Sequence, residues 1–434
     1  MSKTEALLQF IKQSPTAFGA VDSVVRELNQ NGFLPLLEAE EWELFPGQGY
    51  YVTRNGSSII AFRIPADAPR NFKIAASHTD SPMFKLKKEC LVPVTSGGTR
   101  LNTEVYGGTI LSSWLDRPLS LAGRVVLYKN GAFQTRSVAI DRDLLVIPSV
   151  AIHFNREVNT GYRYNPAVDM LPLFSERGDV DISTLLSREL GCAADEIVGS
   201  DLYVYNRMEG TIVGADGEFF CAPRIDNLMC VFGTMDGFVR GISEHSVNVL
   251  FAADNEETGS ATKQGADSVF LADTLERICA SLGTDRKRML ASSMMVSADN
   301  AHAIHPNHPE LSDAKNAPRM NGGVVIKFNA AQKYTTDGLS AAIFEKILKH
   351  ADIPVQYFAN RSDMPGGSTL GSISTTHVPL LSVDIGMAQL AMHSSYETAG
   401  CRDVDYLADA MRAFFESELF VDQNGSFCVQ PSKC

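Results

Sequence analysis

The sequence has no long apolar segment. No stretch approaches the ~20 consecutive apolar residues that a membrane-spanning helix requires. Residues 1–12 contain short apolar groups interrupted by polar and charged residues, and no cleavage signal follows them. This is not the pattern of a secretory signal peptide. We therefore expect a soluble, cytoplasmic protein that has no membrane as a partner.

Paired cysteine motifs are also missing. The eight cysteines are scattered, and none forms a Cys-x-x-Cys pair, which argues against a structural zinc ribbon or a thioredoxin-like site. A chain of 434 residues can build a core without disulfides. Scattered cysteines are therefore typical of a protein from a reducing compartment.

Positive charge is in deficit. The 38 Lys and Arg residues against 51 Asp and Glu residues give a net charge of −13. Such a balance argues against a nucleic acid or an anionic membrane as the partner. Internal repeats and low-complexity segments are absent as well.

Strand-like and helix-like segments alternate in the two outer parts of the chain. Apolar runs of strand length occur at 72–77, 247–253, 291–298, 324–329 and 379–385. Segments with helical spacing occur at 228–240, 260–281, 338–350 and 404–420. This alternation predicts an α/β fold with a mixed, mostly parallel sheet flanked by helices. Such sheets bind ligands at the carboxyl ends of their strands.

The middle of the chain differs from the outer parts in its pattern of predicted elements. Between about residues 91 and 220, short β-prone runs lie among many turns. We predict a catalytic domain formed by 1–90 and 221–434, and an inserted β-rich domain at 91–220. The alternative is a long, irregular part of one domain.

One stretch combines an apolar strand with two adjacent carboxylates. The run 247–253 leads through Asp254 and Asn255 to Glu256 and Glu257, and a Thr-Gly-Ser turn follows. Because side chains alternate across a strand, neighbouring glutamates at a strand end should point in different directions. One could then bind a metal while the other faces a substrate. Taken alone, the stretch could equally be a solvated acidic turn.

Ligand-type side chains follow apolar strands, or lie in loops, at five places. Histidines with carboxylates suit zinc, with manganese or cobalt as substitutes. They suffice for two divalent metal ions if one carboxylate bridges, an arrangement that many hydrolases use. A further carboxylate must take the proton of the attacking water, and either Glu256 or Glu257 could do so. The five places are His78 with Asp80, Asp226, Glu256 with Glu257, Asp299, and His393.

His78 and Asp80 also suit each other by their spacing. In an extended segment, residues two apart face the same side. Asp80 could therefore hold the His78 ring in one tautomer from outside the metal's own ligand shell.

Six stretches resemble one family, the aspartyl aminopeptidases, which are dinuclear zinc exopeptidases that remove acidic N-terminal residues. The stretches occur in the family's order and span nearly the whole chain. They are ASHTDSP (76–82), PRIDNL (223–228), DNEETGS (254–260), VSADNAHA (296–303), MPGGSTLG (364–371) and AMHSSYE (391–397).

The resemblance implies a zinc exopeptidase-like fold and a role for each ligand-type residue. Asp226 bridges the metals, His78 and Asp299 complete one site, Glu257 and His393 complete the other, Glu256 is the general base, and Asp80 supports His78. It also implies that the inserted domain is a dimerisation domain and that dimers build a tetrahedral dodecamer. His153 matches a family histidine that reaches a neighbouring subunit's active site.

The sequence indicates the substrate-binding residues less clearly than the metal ligands. An acidic substrate side chain needs a cation or strong donors, and Lys327 is a candidate because it interrupts an apolar strand. Alternatively it is a strand-end lysine with its head in water. Gly366 and Gly367 could admit backbone close to the substrate, or form a plain helix entry.

A run of three histidines follows the Asp299 position. The resemblance places His302 at the edge of the active site, where it could hydrogen bond to the substrate or the tetrahedral intermediate. For His305 and His308 an ordinary loop is favoured, because the neighbouring prolines prevent a regular helix that would align them.

We therefore predict a metallo-aminopeptidase that acts on peptides with a free N-terminus and prefers Asp or Glu. A neutral aminopeptidase or an N-deacylase on the same scaffold is the alternative within hydrolases. A non-catalytic assembly protein ranks last, because no proposed ligand and no proposed base is missing.

Overall fold

A computed structural model describes residues 1–430. The helices are α1 (Lys3–Gln13), α2 (Ala17–Gln30), α3 (Pro166–Asp169), α4 (Ile182–Leu190), α5 (Ile225–Arg240), α6 (Phe270–Leu282), α7 (Arg286–Leu290), α8 (Gly338–His350), α9 (Leu370–His377) and α10 (Cys401–Glu416). Within this described part of the chain, no helix has the length and apolar character that crossing a membrane requires.

The strands fall into four sheets. They are β1 (Leu34–Pro35), β2 (Gly49–Arg54), β3 (Ser58–Arg63), β4 (Asn71–His78), β5 (Met83–Pro93), β6 (Thr99–Tyr106), β7 (Leu119–Lys129), β8 (Ala132–Ala139), β9 (Leu173–Ser175), β10 (Ile197–Asn206), β11 (Thr211–Val213), β12 (Phe219–Ala222), β13 (Ser246–Ala253), β14 (Met294–Ala298), β15 (Ala301–His302), β16 (Val324–Phe328), β17 (Val355–Ala359), β18 (Leu381–Gly386), β19 (Ala388–Leu390), β20 (Glu397–Gly400), β21 (Glu418–Val421) and β22 (Phe427–Gln430).

A nine-stranded sheet in the order β1-β2-β3-β13-β4-β14-β18-β16-β17 forms the centre. Its middle strands β13, β4, β14 and β18 are parallel to one another, whereas β3 and β16 pair antiparallel with their inner neighbours. Every residue of β4, β13 and β14 is buried. Strands covered on both faces need apolar residues at successive positions, which is why these segments are mostly apolar, with Lys73 and Asn248 as buried polar exceptions. The predicted α/β fold with a mixed sheet is confirmed.

Helices cover both faces of this sheet. Successive residues of a strand point to opposite faces. Ile74 belongs to an apolar cluster that also includes residues of α6, α7 and α9, whereas Ala75 belongs to the cluster that includes residues of α1, α2, α5, α8 and α10. Each helical layer thereby buries its own apolar cluster against the same strands. The sheet edge at which the strands end stays available for polar side chains.

A second, antiparallel sheet, β8-β7-β10-β5-β6-β9, has its own apolar cluster. Its strands come from the chain between Met83 and Asn206. The chain therefore enters and leaves this sheet several residues before the predicted domain boundaries at 90/91 and 220/221. The following strands β11 and β12 pair with β20, near the carboxyl end of the chain. The division into a catalytic domain and an inserted domain stays a prediction.

Two predicted helices end or begin elsewhere. The apolar spacing over 404–420 suggested one helix, yet α10 ends at Glu416 and β21 begins at Glu418. The buried Lys73 ammonium donates to the carbonyls of Phe415 and Ser417, where a helix end leaves carbonyls without intrahelical donors. Of the predicted helical region 260–281, the first part forms turns, and α6 begins only at Phe270.

Candidate active site

The carboxyl ends of three neighbouring strands bring three of the five predicted ligands to one edge of the central sheet. In the registers of β4 with β13 and β14, His78 lies opposite Ala253, and Ala76 lies opposite Ser297. His78 is the last residue of β4, and Asp299 follows directly after β14. Parallel strands end at a common edge, where α/β proteins hold their ligands.

Asp226 lies between two groups of side chains. Its Oδ1 is 3.5 Å from His78 Nε2, and its Oδ2 is 3.4 Å from His393 Nε2. Asp299 Oδ1 is 3.6 Å from the same His78 nitrogen. Glu257 Oε2 is 3.4 Å from the same His393 nitrogen. The five residues predicted to bind metal thus converge, as two groups that share one carboxylate.

The donor set fits divalent metal ions. Asp226 Oδ1 and Glu257 Oε1 are buried and have no hydrogen-bond partner among the described residues, although buried polar atoms are normally paired. His78, Asp226 and Glu257 offer ligand atoms that all lie within 4.8 Å of one another. Imidazole nitrogens and carboxylate oxygens are zinc ligands. A cation would give these oxygens the partner that the protein itself does not provide.

Both imidazoles are oriented by backbone carbonyls. His78 Nδ1 is 3.1 Å from the carbonyl oxygen of Asp80, and His393 Nδ1 is 3.0 Å from that of Gly108. A carbonyl only accepts, so each Nδ1 must carry the proton. The lone pair of each Nε2 then faces Asp226 and is free for a metal.

The Asp80 carboxylate organises the loop that carries the two glutamates. Its oxygens accept the backbone N–H of Glu256 and of Glu257, each at 3.2 Å. It also lies 3.4 Å from His78 Nδ1. A single carboxylate thereby holds the strand end of β4 against the loop after β13.

The two glutamates lie on a short 3-10 helix, Glu256–Thr258, and not on the strand. Asn255 precedes it with a φ of 62°, the left-handed conformation that asparagine tolerates better than most residues. The expectation that strand alternation separates Glu256 from Glu257 was therefore wrong. Successive residues of a 3-10 helix differ by about 120° in direction, because it has three residues per turn.

The close packing of charged side chains shifts the pKa values of several site residues strongly. Loss of water raises the pKa of Glu256 to about 8, although attraction to His78 lowers it. Burial disfavours the charged form of His393, yet Asp226 raises the pKa of that histidine to about 9. Burial and repulsion by Asp226 hold the pKa of Glu257 well above its usual value. Carboxylates packed this closely repel one another, and a bound cation would offset that repulsion.

Glu397 has a positioning contact that the sequence analysis missed. It is 1% exposed, and its Oε2 accepts the backbone N–H of Asp226 at 3.0 Å while its Oε1 accepts that of His393 at 2.8 Å. One carboxylate therefore fixes the backbone of two predicted ligands. Glu397 is the last residue of the stretch 391–397, which resembles the family, and this position could have identified it from the sequence.

We expect Glu397→Gln to weaken zinc binding by about 10- to 100-fold, the usual cost of changing a group that supports a metal ligand. The amide keeps the shape but cannot accept both N–H groups. Zinc per chain after dialysis against graded chelator measures the effect. The exposed Glu244, changed to Gln, is the matched control. Unchanged zinc retention in Glu397→Gln would refute this role.

Lys327 is buried in the structure, so the alternative of a lysine with its head in water was wrong. Its side chain is 2% exposed, and Nζ donates to the Asp299 carbonyl at 2.7 Å. The ammonium also lies 3.6 Å from Asp299 Oδ2 and 5.0 Å from the centre of the Tyr334 ring. A cation is thus located beside one of the ligand residues.

The other predicted substrate-side residues lie in more open places. His302 ends the short strand β15 and is exposed, and His153 is exposed in a loop of the inserted segment. Gly366 and Gly367 precede α9, where a Cβ on Gly366 would meet the Asn360 side chain at 2.4 Å. A Cβ on Gly367 would meet only open space.

The histidines after His302 do not form a metal-ligating group within residues 1–430. His305 and His308 are exposed, and His308 Nδ1 lies 3.1 Å from Glu310 Oε1. The loop predicted for these two residues is confirmed.

Comparison with known proteins identifies the family to which the chain is similar. A family model described as aminopeptidase I zinc metalloprotease (M18) matches residues 10–415. A Clostridium acetobutylicum protein named probable M18 family aminopeptidase 2 is 43% identical over 421 residues, which cover 94% of this chain and 97% of that protein.

Solved structures agree in fold. The chain in a cryo-EM structure of the Ape4 and Nbr1 complex is 34% identical with a TM-score of 0.92, covering 95% of this chain and 85% of that one. A structure of the S. cerevisiae mApe1 dodecamer is 25% identical with a TM-score of 0.85, covering 95% of this chain and 96% of that one.

Proposed function

Because the chain belongs to the M18 family of zinc metallo-aminopeptidases, we propose that it removes acidic N-terminal residues from peptides with the help of two divalent metal ions. The observation that carries this proposal is the position of Asp226, whose two oxygens face two separate groups of ligands. A carboxylate that faces both ways is what a bridged pair of ions requires.

The residues divide between the two ions as follows. His78 and Asp299 would hold one ion, Glu257 and His393 the other, and Asp226 both. Zinc is the expected metal, with manganese or cobalt as substitutes. When bound, the ions would supply a water of lowered pKa and polarise the scissile carbonyl.

Glu256 is the proposed general base. It is next to Glu257, and its backbone is held by Asp80. Burial raises the pKa of Glu256 to about 8, and bound cations would lower it again, towards the range in which a group both takes and returns a proton near neutral pH. Glu256 takes one proton from the attacking water, whose oxygen bonds to the carbonyl carbon. The proton passes to the nitrogen of the leaving peptide as the C–N bond breaks.

The direct test is a substrate panel on zinc-loaded protein. We expect peptides that begin with Asp or Glu to be cleaved faster than a Leu-initiated peptide, and N-acylated amino acids not to be cleaved. Chelation should abolish activity, and added zinc should restore it. Preference for Leu would favour the neutral aminopeptidase, hydrolysis of the acylated amino acids the N-deacylase, and no turnover a non-catalytic assembly protein.

Lys327 is the proposed cation for the acidic side chain of the substrate. We expect Lys327→Met to reduce the preference for Asp over Leu at the N-terminus by about 10- to 100-fold, since hydrogen bonds to charged groups contribute ~1.5–3 kcal/mol. The ratio of the two kcat/KM values measures this. The exposed Lys346, changed to Met, is the control.

An equal loss on both substrates would contradict that role. It would instead assign Lys327 to holding Asp299, which its ammonium contacts. For His302 and the backbone at Gly366 and Gly367, we propose contacts with substrate at the edge of the same site, and Asp80 is proposed to support His78.

We further propose that the chain assembles into a dodecamer built from dimers through the inserted domain, 91–220, with His153 reaching a neighbouring active site. The likeness to the S. cerevisiae mApe1 dodecamer supports this. So do the apolar residues around His153, because Ile152 and Phe154 are 47% and 87% exposed. Light scattering should give the mass of twelve chains of 47.3 kDa.

A further inference from the structure

We propose that segment 106–110, which follows from strand β6 of the second sheet, is a positioning element that completes one half of the metal centre, the half formed by Glu257 and His393. This inference rests on the proposed two-ion function. It gives the inserted segment a part in building the active site of its own chain, in addition to any part in assembly.

Segment 106–110 holds the backbone and the ring of His393. The Gly108 carbonyl accepts from His393 Nδ1 at 3.0 Å. Ile110 N–H and Thr109 Oγ1 donate to the His393 carbonyl at 3.0 and 3.3 Å. His393 has a φ of 68°, a conformation that residues other than glycine rarely adopt. The contacts from segment 106–110 help to keep the histidine in this conformation.

Two glycines let this segment approach the ligands. Gly107 has a φ of +73°, and a Cβ there would lie 3.1 Å from Glu257 Cβ and 3.4 Å from its Oε2. A Cβ on Gly108 would lie 3.3 Å from His393 Nδ1. Because glycine has no Cβ, the backbone can lie directly against both ligands. Any larger residue must push a ligand side chain away from its present place.

Tyr106 connects the second sheet to the glutamate loop. Its hydroxyl donates to Asp80 Oδ2 at 2.7 Å and accepts from Asn255 Nδ2 at 2.8 Å. The same Asp80 oxygen accepts the backbone N–H of Glu257. The Tyr106 ring packs edge-on against Tyr203 of β10, with ring centres 5.6 Å apart. Tyr106 therefore holds the Glu257 backbone through Asp80 while it remains anchored in the second sheet.

The other half of the centre is held mostly by different elements, although Asp80 contacts both halves. His78 Nδ1 contacts the Asp80 carbonyl, and Asp299 is held by Lys327 of β16. These contacts come from strands of the central sheet and the residues that follow them. A change at Gly108 should therefore weaken one ion selectively, whereas a change at Tyr106 also affects Asp80, whose Oδ1 lies 3.4 Å from His78 Nδ1.

The test uses the full-length zinc-loaded protein, dialysed against graded chelator, with zinc per chain measured by mass spectrometry. We expect Gly108→Ala to release one of its two ions at a chelator concentration about 10- to 100-fold lower than the wild type does. The second ion should leave at the wild-type concentration. Tyr106→Phe should weaken the same ion more than the other. It keeps the ring against Tyr203 and removes only the hydroxyl, which bonds the Asp80 oxygen that accepts the Glu257 N–H.

Two matched controls separate this from general damage. Gly178→Ala places a Cβ in open space within the same inserted segment, and Tyr128→Phe changes a tyrosine that is 45% exposed. Both should release zinc as the wild type does. Equal weakening of both ions in the two test variants, or unchanged release, would overturn the inference. Wild-type protein that holds only one ion would refute the two-ion function, and this inference with it.

Discussion

Glu256→Gln is expected to lower kcat by about 10²–10⁴-fold, the range that general acid–base groups contribute, and to leave the zinc content unchanged. Glutamine keeps the shape of the side chain but cannot take the proton of the attacking water. The measurements are kcat on an Asp-initiated peptide and zinc per chain on the same preparation. The exposed Glu244, changed to Gln, controls for the loss of one negative charge.

The neighbouring residue provides the decisive contrast. Glu257→Gln should lose zinc as well as activity, because the Glu257 carboxylate lies 3.4 Å from His393 Nε2 within the ligand group. If Glu256→Gln lost zinc as well as activity and Glu257→Gln lost activity with its zinc retained, the two roles would be reversed. Full activity in Glu256→Gln would exclude Glu256 as the base. The contrast works because the residues are adjacent and their backbone N–H groups are both held by Asp80.

Asp226→Ala is expected to remove both ions and to abolish measurable aminopeptidase activity. Its oxygens face both ligand groups, so the substitution takes a ligand from each. The loss should exceed the ~10- to 100-fold caused by changes outside the ligand shell. Zinc per chain and kcat/KM on the Asp-initiated peptide measure it.

Asp299→Ala is the comparison for this experiment. Asp299 lies near His78 alone of the two ligand histidines, 3.6 Å from Nε2, so its removal should cost one ion while the second stays. Two ions retained in Asp226→Ala would rule out a bridging role. Folding of each variant is checked by its thermal unfolding curve.

The strands of the central sheet were predictable because they are buried on both faces. Residues 72–77 and 247–253 are mostly apolar segments, and the structure extends each by only one or two residues, to Asn71–His78 and Ser246–Ala253. The ligand positions followed from the same pattern, since polar residues that directly follow such a strand lie at its end. His78, Glu257 and Asp299 were predicted as ligands in this way.

Helix ends and turns were less predictable. The apolar residues of 404–420 continue past Glu416, whereas in the structure α10 ends where the Lys73 ammonium, from another strand, donates to the carbonyls of Phe415 and Ser417. Likewise, strand β13 ends at Ala253, and Asn255, in the left-handed conformation, precedes a 3-10 helix. The geometry of this helix makes the side chains of Glu256 and Glu257 point in different directions. Local apolar spacing carries no information about a partner from another strand.

The sequence alone determined the fold class, the ligand types and, through the family resemblance, the roles proposed for them, because strand burial and strand ends are local properties. The tertiary structure decided which groups hold those ligands in place. Glu397 meets Asp226 from 171 positions away, and Gly108 meets His393 from 285 positions away. Such contacts depend on how separate sheets and loops pack together, and packing is a property of the whole chain rather than of any segment.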